Sequence, residues 1–131
     1  MGEESHAAIA LCLWEAISRG DSGALRGVLA PKIEWSTLAS GNLTGTVTGE
    51  EAVLDLLARI GETVESLSSE MLDISTNPTG AVIHYRVTAE RDGKRIDTHV
   101  QLILEIEAGR IARSCAMPFD PESAGKFWTN A

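Results

Sequence analysis

The chain has 131 residues, of which 44% are hydrophobic and 23% charged, an ordinary globular composition that excludes disordered and fibrous classes. Its length suits one hydrophobic core, so residues 1–131 are expected to form a single domain. The formal net charge of −8 opposes binding to nucleic-acid phosphates, and no apolar run is long enough to span a bilayer. The opening MGEESHAAIALCLWEAI is acidic where a signal peptide would be basic, so a cytoplasmic location is expected.

Residues 4–19 place Ile9, Leu13, Trp14 and Ile17 at helical spacing and end at Gly20, predicting a first helix. Asp21 can cap a short second helix holding Leu25, Val28 and Leu29, which stops before Pro31. The chain then extends through KIEWSTL, and TLASGNLTGTVTG reads as a loop or irregular strand. Thr48 and Glu51 have the spacing of a capping box ahead of a third helix with Val53, Leu54, Leu57 and Ile60 on one side. ESLSSEMLDIST, residues 81–91, 94–107 and 110–119 follow as four antiparallel strands. Asn77-Pro78-Thr79-Gly80, Asp92-Gly93 and Gly109 make the turns between them. Helices followed by strands favour an α+β fold with the helices covering one face of a curved sheet.

Asp92-Gly93 between alternating apolar runs is a strong hairpin signal, because a type I′ turn needs positive φ at both central residues. Pairing Arg91 with Lys94 sets Thr88 opposite Asp97, Arg86 opposite His99 and His84 opposite Gln101 on one face. Val87 opposite Thr98, Tyr85 opposite Val100 and Ile83 opposite Leu102 form the other. The polar row reads either as a catalytic row, with His99 near Arg86 and Asp97, or as an outer face for solvent or a second subunit. A one-residue bulge would turn part of it inward, making His99 a base with Arg86 as anion stabiliser and Asp97 orienting the imidazole. The two histidines lack a third ligand at recognisable spacing, and Cys12 and Cys115 belong to no ligand-spaced group, so no metal or other cofactor is expected.

LWEAISRGDSGALRGVLAPKIEW, GTVTGEEAVLDLL, LILEIEAGRIARS and PFDPESAGKFW together resemble the nuclear-transport-factor-two-like superfamily, especially its SnoaL-like and ketosteroid-isomerase-like branch. The resemblance spans nearly the whole chain. It implies a cone-shaped, cystatin-like α+β barrel whose helices close over the concave face of a mainly antiparallel sheet, leaving an apolar pocket. It also implies a homodimer through the convex face. Pocket candidates by this resemblance are Leu13, Trp14, Trp35, Thr37, Tyr85, Val87, Val100, Leu102, Ser114 and Ala116.

The catalytic groups of two relatives do not map onto this chain. The steroid-isomerase positions fall near Trp35 or Thr37, Leu13 and Leu102, none of which supplies the required group. The epoxide-hydrolase pattern meets Arg86-Val87-Thr88 with Thr88 in place of a carboxylate, and Ala116 or Met117 in place of the second. Polyketide cyclases of the SnoaL type need a cavity carboxylate, for which Glu34, Asp97 and Asp120 remain. Asp120 is the best of these, yet directly before Pro121 it reads more readily as a turn residue than as an acid. The expectation is thus a protein that binds a small hydrophobic molecule. The alternatives are an isomerase, hydrolase or cyclase using His99, Arg86 and Asp97 or Asp120, and a non-catalytic interaction module whose cavity is filled.

Overall fold

The computed structural model describes residues 3–38 and 41–129. Helix α1 (Glu3–Arg19) ends at Gly20, whose φ of 64° is costly for a side chain bearing Cβ. Helix α2 (Ser22–Val28) starts on Asp21, whose carboxylate accepts the otherwise unpaired N–H of Ala24. Leu29, expected in that helix, instead opens strand β1 (Leu29–Thr37), since Pro31 forces the residue before it out of the helical region.

The Gly- and Thr-rich segment falls partly on residues 39–40, which lie outside the described residues. Beyond them it forms a single 3-10 turn (Gly41–Leu43) and a short strand β2 (Gly45–Thr48). Helix α3 (Glu50–Thr63) follows, but without the expected capping box. Gly49 at φ 98° is its N-cap, Thr48 still belongs to β2, and Glu51 pairs with Arg26 of α2 instead.

Strands β3 (Ser66–Asn77), β4 (Gly80–Arg91), β5 (Lys94–Glu107) and β6 (Arg110–Pro118) form the expected antiparallel run. They belong to a six-stranded sheet of order β2-β1-β6-β5-β4-β3, in which β1 and β6 run parallel and every other pair is antiparallel. The β4–β5 turn has φ 48° at Asp92 and 76° at Gly93, and the register from Arg91↔Lys94 to Gly80↔Glu105 is unbroken. Irregularities fall elsewhere, between Met71 and Asp73 in β3, at Ala112 of β6 between the partners of Glu105 and Ile106, and between Leu29 and Glu34 in β1. Such extra residues bend a strand and sharpen its twist, so they curve the sheet without inverting the hairpin's faces.

The concave face and the inner sides of α1, α2 and α3 share one core. Leu13, Leu29, Ile33, Val53, Ile83, Leu104 and Ile111 are its largest fully enclosed side chains. Each contributes roughly 1.5–3 kcal/mol by leaving water. A smaller cluster joins Ala89 and Ile96 to Ala124 and Phe127 of helix α4 (Pro121–Trp128), an element absent from the sequence expectation. Asp120 caps α4, accepting hydrogen bonds from Ser123 N at 3.2 Å and Ser123 Oγ at 2.7 Å, and Pro121 takes the first turn, where a missing N–H costs nothing. At the far end, buried Arg91 donates from Nη1 to the carbonyls of Phe127 (2.7 Å) and Thr129 (3.2 Å). A cation there satisfies carbonyls that the helix leaves unpaired.

Candidate functional site

The helices do not fill the concave face. Between α1, α3, α4 and the inner side of the sheet lies a cavity of about 470 Å³. Its wall is built by the same alternation that makes the hairpin amphipathic. Tyr85 and Val87 of β4, Thr98, Val100 and Leu102 of β5, and Ala116 and Pro118 of β6 all face inward. β1 adds Trp35 and Thr37, α1 adds Trp14, Ile17 and Ser18, α3 adds Leu57 and Ile60, and α4 adds Ala124 and Trp128.

Trp14, Trp35, Tyr85 and Trp128 supply aromatic faces to this surface. Trp14 and Tyr85 pack with ring centroids 5.1 Å apart, tilted by 53°, a geometry favourable to their quadrupoles. Among the described residues the lining contains no carboxylate, imidazole, ammonium or guanidinium. Its polar groups are hydroxyls and indole N–H groups, so the wall can donate and accept hydrogen bonds but offers no acid or base that titrates near neutrality. Enclosure disfavours the phenolate and pushes Tyr85 up to about 12.

Eight of the ten sequence-derived pocket candidates line this space: Trp14, Trp35, Thr37, Tyr85, Val87, Val100, Leu102 and Ala116. Leu13 is fully enclosed in the core below α1, and Ser114 lies one step deeper along β6, opposite Leu104, so neither reaches the cavity. Trp128 and Ala124 were not anticipated because α4 was not. Asp120-Pro121 followed by Ala124, Phe127 and Trp128 at helical spacing is a start signal that could have revealed it.

The four candidates for catalysis sit elsewhere. Arg86 and Asp97 form an exposed bidentate pair on the convex face, Nε to Oδ1 at 2.8 Å and Nη2 to Oδ2 at 2.7 Å. Hydrogen bonds from Arg86 chiefly hold Asp97 below the usual carboxylate range. His99 and His84 meet on the same face, Nδ1 to Nε2 at 2.9 Å, with Phe119 stacked on His84. Asp120 is occupied as the cap of α4, and its bonds to Ser123 hold it low as well. The unbroken β4–β5 register is the physical reason: no bulge carries His84, Arg86 or His99 inside. Among the described residues no cluster of three or more His, Cys, Asp or Glu is placed to hold a metal ion.

Helices wrapped over a strongly curved mixed sheet with a cavity between them give the fold of solved nuclear-transport-factor-two-like and cystatin-like structures. More narrowly, the chain belongs to the SnoaL-like domain family, whose model matches residues 12–114. It is similar to an uncharacterized protein of Mycobacterium tuberculosis, with 30% identity over 118 residues covering 86% of this chain and 88% of that protein. The structure of Bal32a from a soil-derived mobile gene cassette superposes with a TM-score of 0.90 at 24% identity, covering 96% of this chain and 98% of that one. TerC co-crystallized with polyporic acid has a TM-score of 0.81 at 13% identity, covering 95% and 98%. These last two likenesses concern the fold alone.

Proposed function

We propose that this protein binds a small hydrophobic molecule in the cavity between its helices and the concave face of the sheet. The observation that carries the reading is the cavity itself: about 470 Å³, walled by three tryptophans, a tyrosine and aliphatic side chains, with no charged group among the described lining residues. That volume lies within the usual range of small-molecule sites and has room for on the order of 20 non-hydrogen atoms at protein-like packing. A core-filled interaction module would leave no such space. The co-crystallization of TerC, a protein of the same fold, with polyporic acid is in keeping with a small organic ligand. His99 and Asp120 lie outside the cavity lining, which supports binding over acid–base chemistry on either residue.

The test is a ligand screen with steroids, terpenoids and aromatic polyketides, read by thermal shift and native mass spectrometry. A ligand present at a hundred times its Kd stabilises the fold by about 2.7 kcal/mol, a readily measured shift. Saturable quenching of the fluorescence of Trp14, Trp35 and Trp128, all in the cavity wall, should accompany it. No shift and no quenching across the panel would count against the reading.

A homodimer through the convex face is proposed alongside, because Met117 (40% exposed) and Phe119 (55%) present apolar area beside the His84–His99 pair. Sedimentation of the wild type and of Phe119→Asp tests it: a dimer weakened by the substitution is expected, and a monomeric wild type at tens of micromolar would refute it.

A further inference from the structure

Resting on the reading of the cavity as a binding site, we propose that its ligand is an uncharged molecule bearing a hydrogen-bond-accepting oxygen, and that the phenol of Tyr85 donates to that oxygen and selects for it. Tyr85 stands in the middle of the inner wall, with Met71 beside it on β3 and Val100 beside it on β5, both apolar, and the Trp14 ring packed against it. No hydrogen bond from its hydroxyl to any described residue is formed, yet the residue lines the cavity. The hydroxyl is therefore open to the cavity, where an acceptor on a ligand can take its hydrogen bond in place of water.

The donor role follows from the protonation state. Enclosure keeps the phenol protonated throughout the physiological range, so the group offers O–H and not a phenolate. The rest of the lining then decides the ligand's charge. Thr37, Thr98, Ser18, Ser68 and Ser69 carry hydroxyls that can assist an oxygen-bearing ligand but cannot neutralise an ion. A carboxylate or ammonium entering this space would lose its hydration with no opposite charge to meet it. An ether or carbonyl oxygen accepts the hydrogen bond of the Tyr85 hydroxyl and requires no partner in return.

Three probes built on one tricyclic skeleton separate the possibilities: fluorene, fluorenone and fluorene-9-carboxylate. They are titrated against the wild type and Tyr85→Phe, with binding read by tryptophan fluorescence and calorimetry and folding of the variant checked by circular dichroism. The expected result is that Tyr85→Phe binds fluorenone about tenfold more weakly than the wild type does and leaves fluorene affinity unchanged, the size of one hydrogen bond. Fluorene-9-carboxylate should bind the wild type at least about a hundredfold more weakly than fluorenone. Equal losses for fluorene and fluorenone in the variant, or no loss for either, would overturn the role of Tyr85 while leaving the cavity reading intact. Carboxylate affinity matching that of fluorenone would overturn the selection for an uncharged ligand. Failure of the wild type to bind either neutral probe would remove the cavity reading and this inference together.

Discussion

Replacing Arg91 with alanine should detach the closing helix from the sheet. In the native protein Arg91 is 4% exposed and its guanidinium donates to the carbonyls of Phe127 and Thr129 at the end of α4, the helix that presents Ala124 and Trp128 to the cavity. A hydrogen bond from a charged donor contributes about 1.5–3 kcal/mol, and a buried carbonyl left unpaired costs about 1–3 kcal/mol. The Phe127 carbonyl is in the buried environment, so its bond is lost in full, whereas the exposed Thr129 can recover a partner from water. The net loss is therefore about 3 kcal/mol, a large share of the 5–15 kcal/mol that typically holds a domain together. Urea denaturation of wild type and Arg91→Ala measures this, and Arg91→Lys should recover only part of it, because a single ammonium does not reproduce the guanidinium fork. Hydrogen exchange should locate the damage, with amides of α4 losing protection before those of β4 and β5. A loss below about 1 kcal/mol, or unchanged protection in α4, would refute the latch reasoning.

Four further outcomes are expected. Gly80→Ala should disrupt the β3–β4 turn, because its Cβ would sit 1.9 Å from the Leu104 carbonyl oxygen on β5; a soluble variant with wild-type melting temperature would contradict this. Ala108 holds φ 52° ahead of Gly109 in the β5–β6 turn, so Ala108→Asn, which tolerates that region better, should raise stability by about 1 kcal/mol in chemical denaturation. Ser114→Ala should be neutral or stabilising by about 1 kcal/mol, since the Oγ of Ser114 is buried without a hydrogen-bond partner; destabilisation beyond about 1 kcal/mol would point to a partner for that hydroxyl. Asp97 and Asp120 both have folded pKa values below the ordinary 3.8, so the stability they add is complete above that value and is lost as pH falls through the lower folded values. The double variant Asp97→Asn, Asp120→Asn should flatten the stability profile below about pH 4, measured by thermal unfolding against pH.

Much of this protein was legible in one dimension because its strongest signals are local. The period of Ile9, Leu13 and Ile17 makes one helix, and Asp92-Gly93 makes a type I′ turn whose two-residue loop leaves one register open to the flanking strands. That register alone sorted Tyr85, Val87 and Val100 from His84, Arg86 and His99, since a strand's side chains alternate. Local signals also competed: Thr48 and Glu51 satisfy a capping-box spacing, but β2 pairing with β1 claimed Thr48 and an ion pair to Arg26 claimed Glu51. Asp120-Pro121 opens a helix as readily as a turn, and what made it a helix was burial of Ala124 and Phe127 against Ala89 and Ile96, contacts more than two dozen residues away in the chain.

The sequence by itself determined the alternation of the hairpin, the helix caps at Asp21 and the separation of charged from apolar rows, because each depends on neighbours within a few residues. Only the tertiary structure decided which of the inward residues are core and which line a cavity. Leu13 and Leu102 are both buried aliphatics, yet Leu102 lines the cavity and Leu13 does not. That distinction rests on the curvature that the extra residues Leu72 of β3 and Ala112 of β6 give the sheet, and on α4 closing the space that remains.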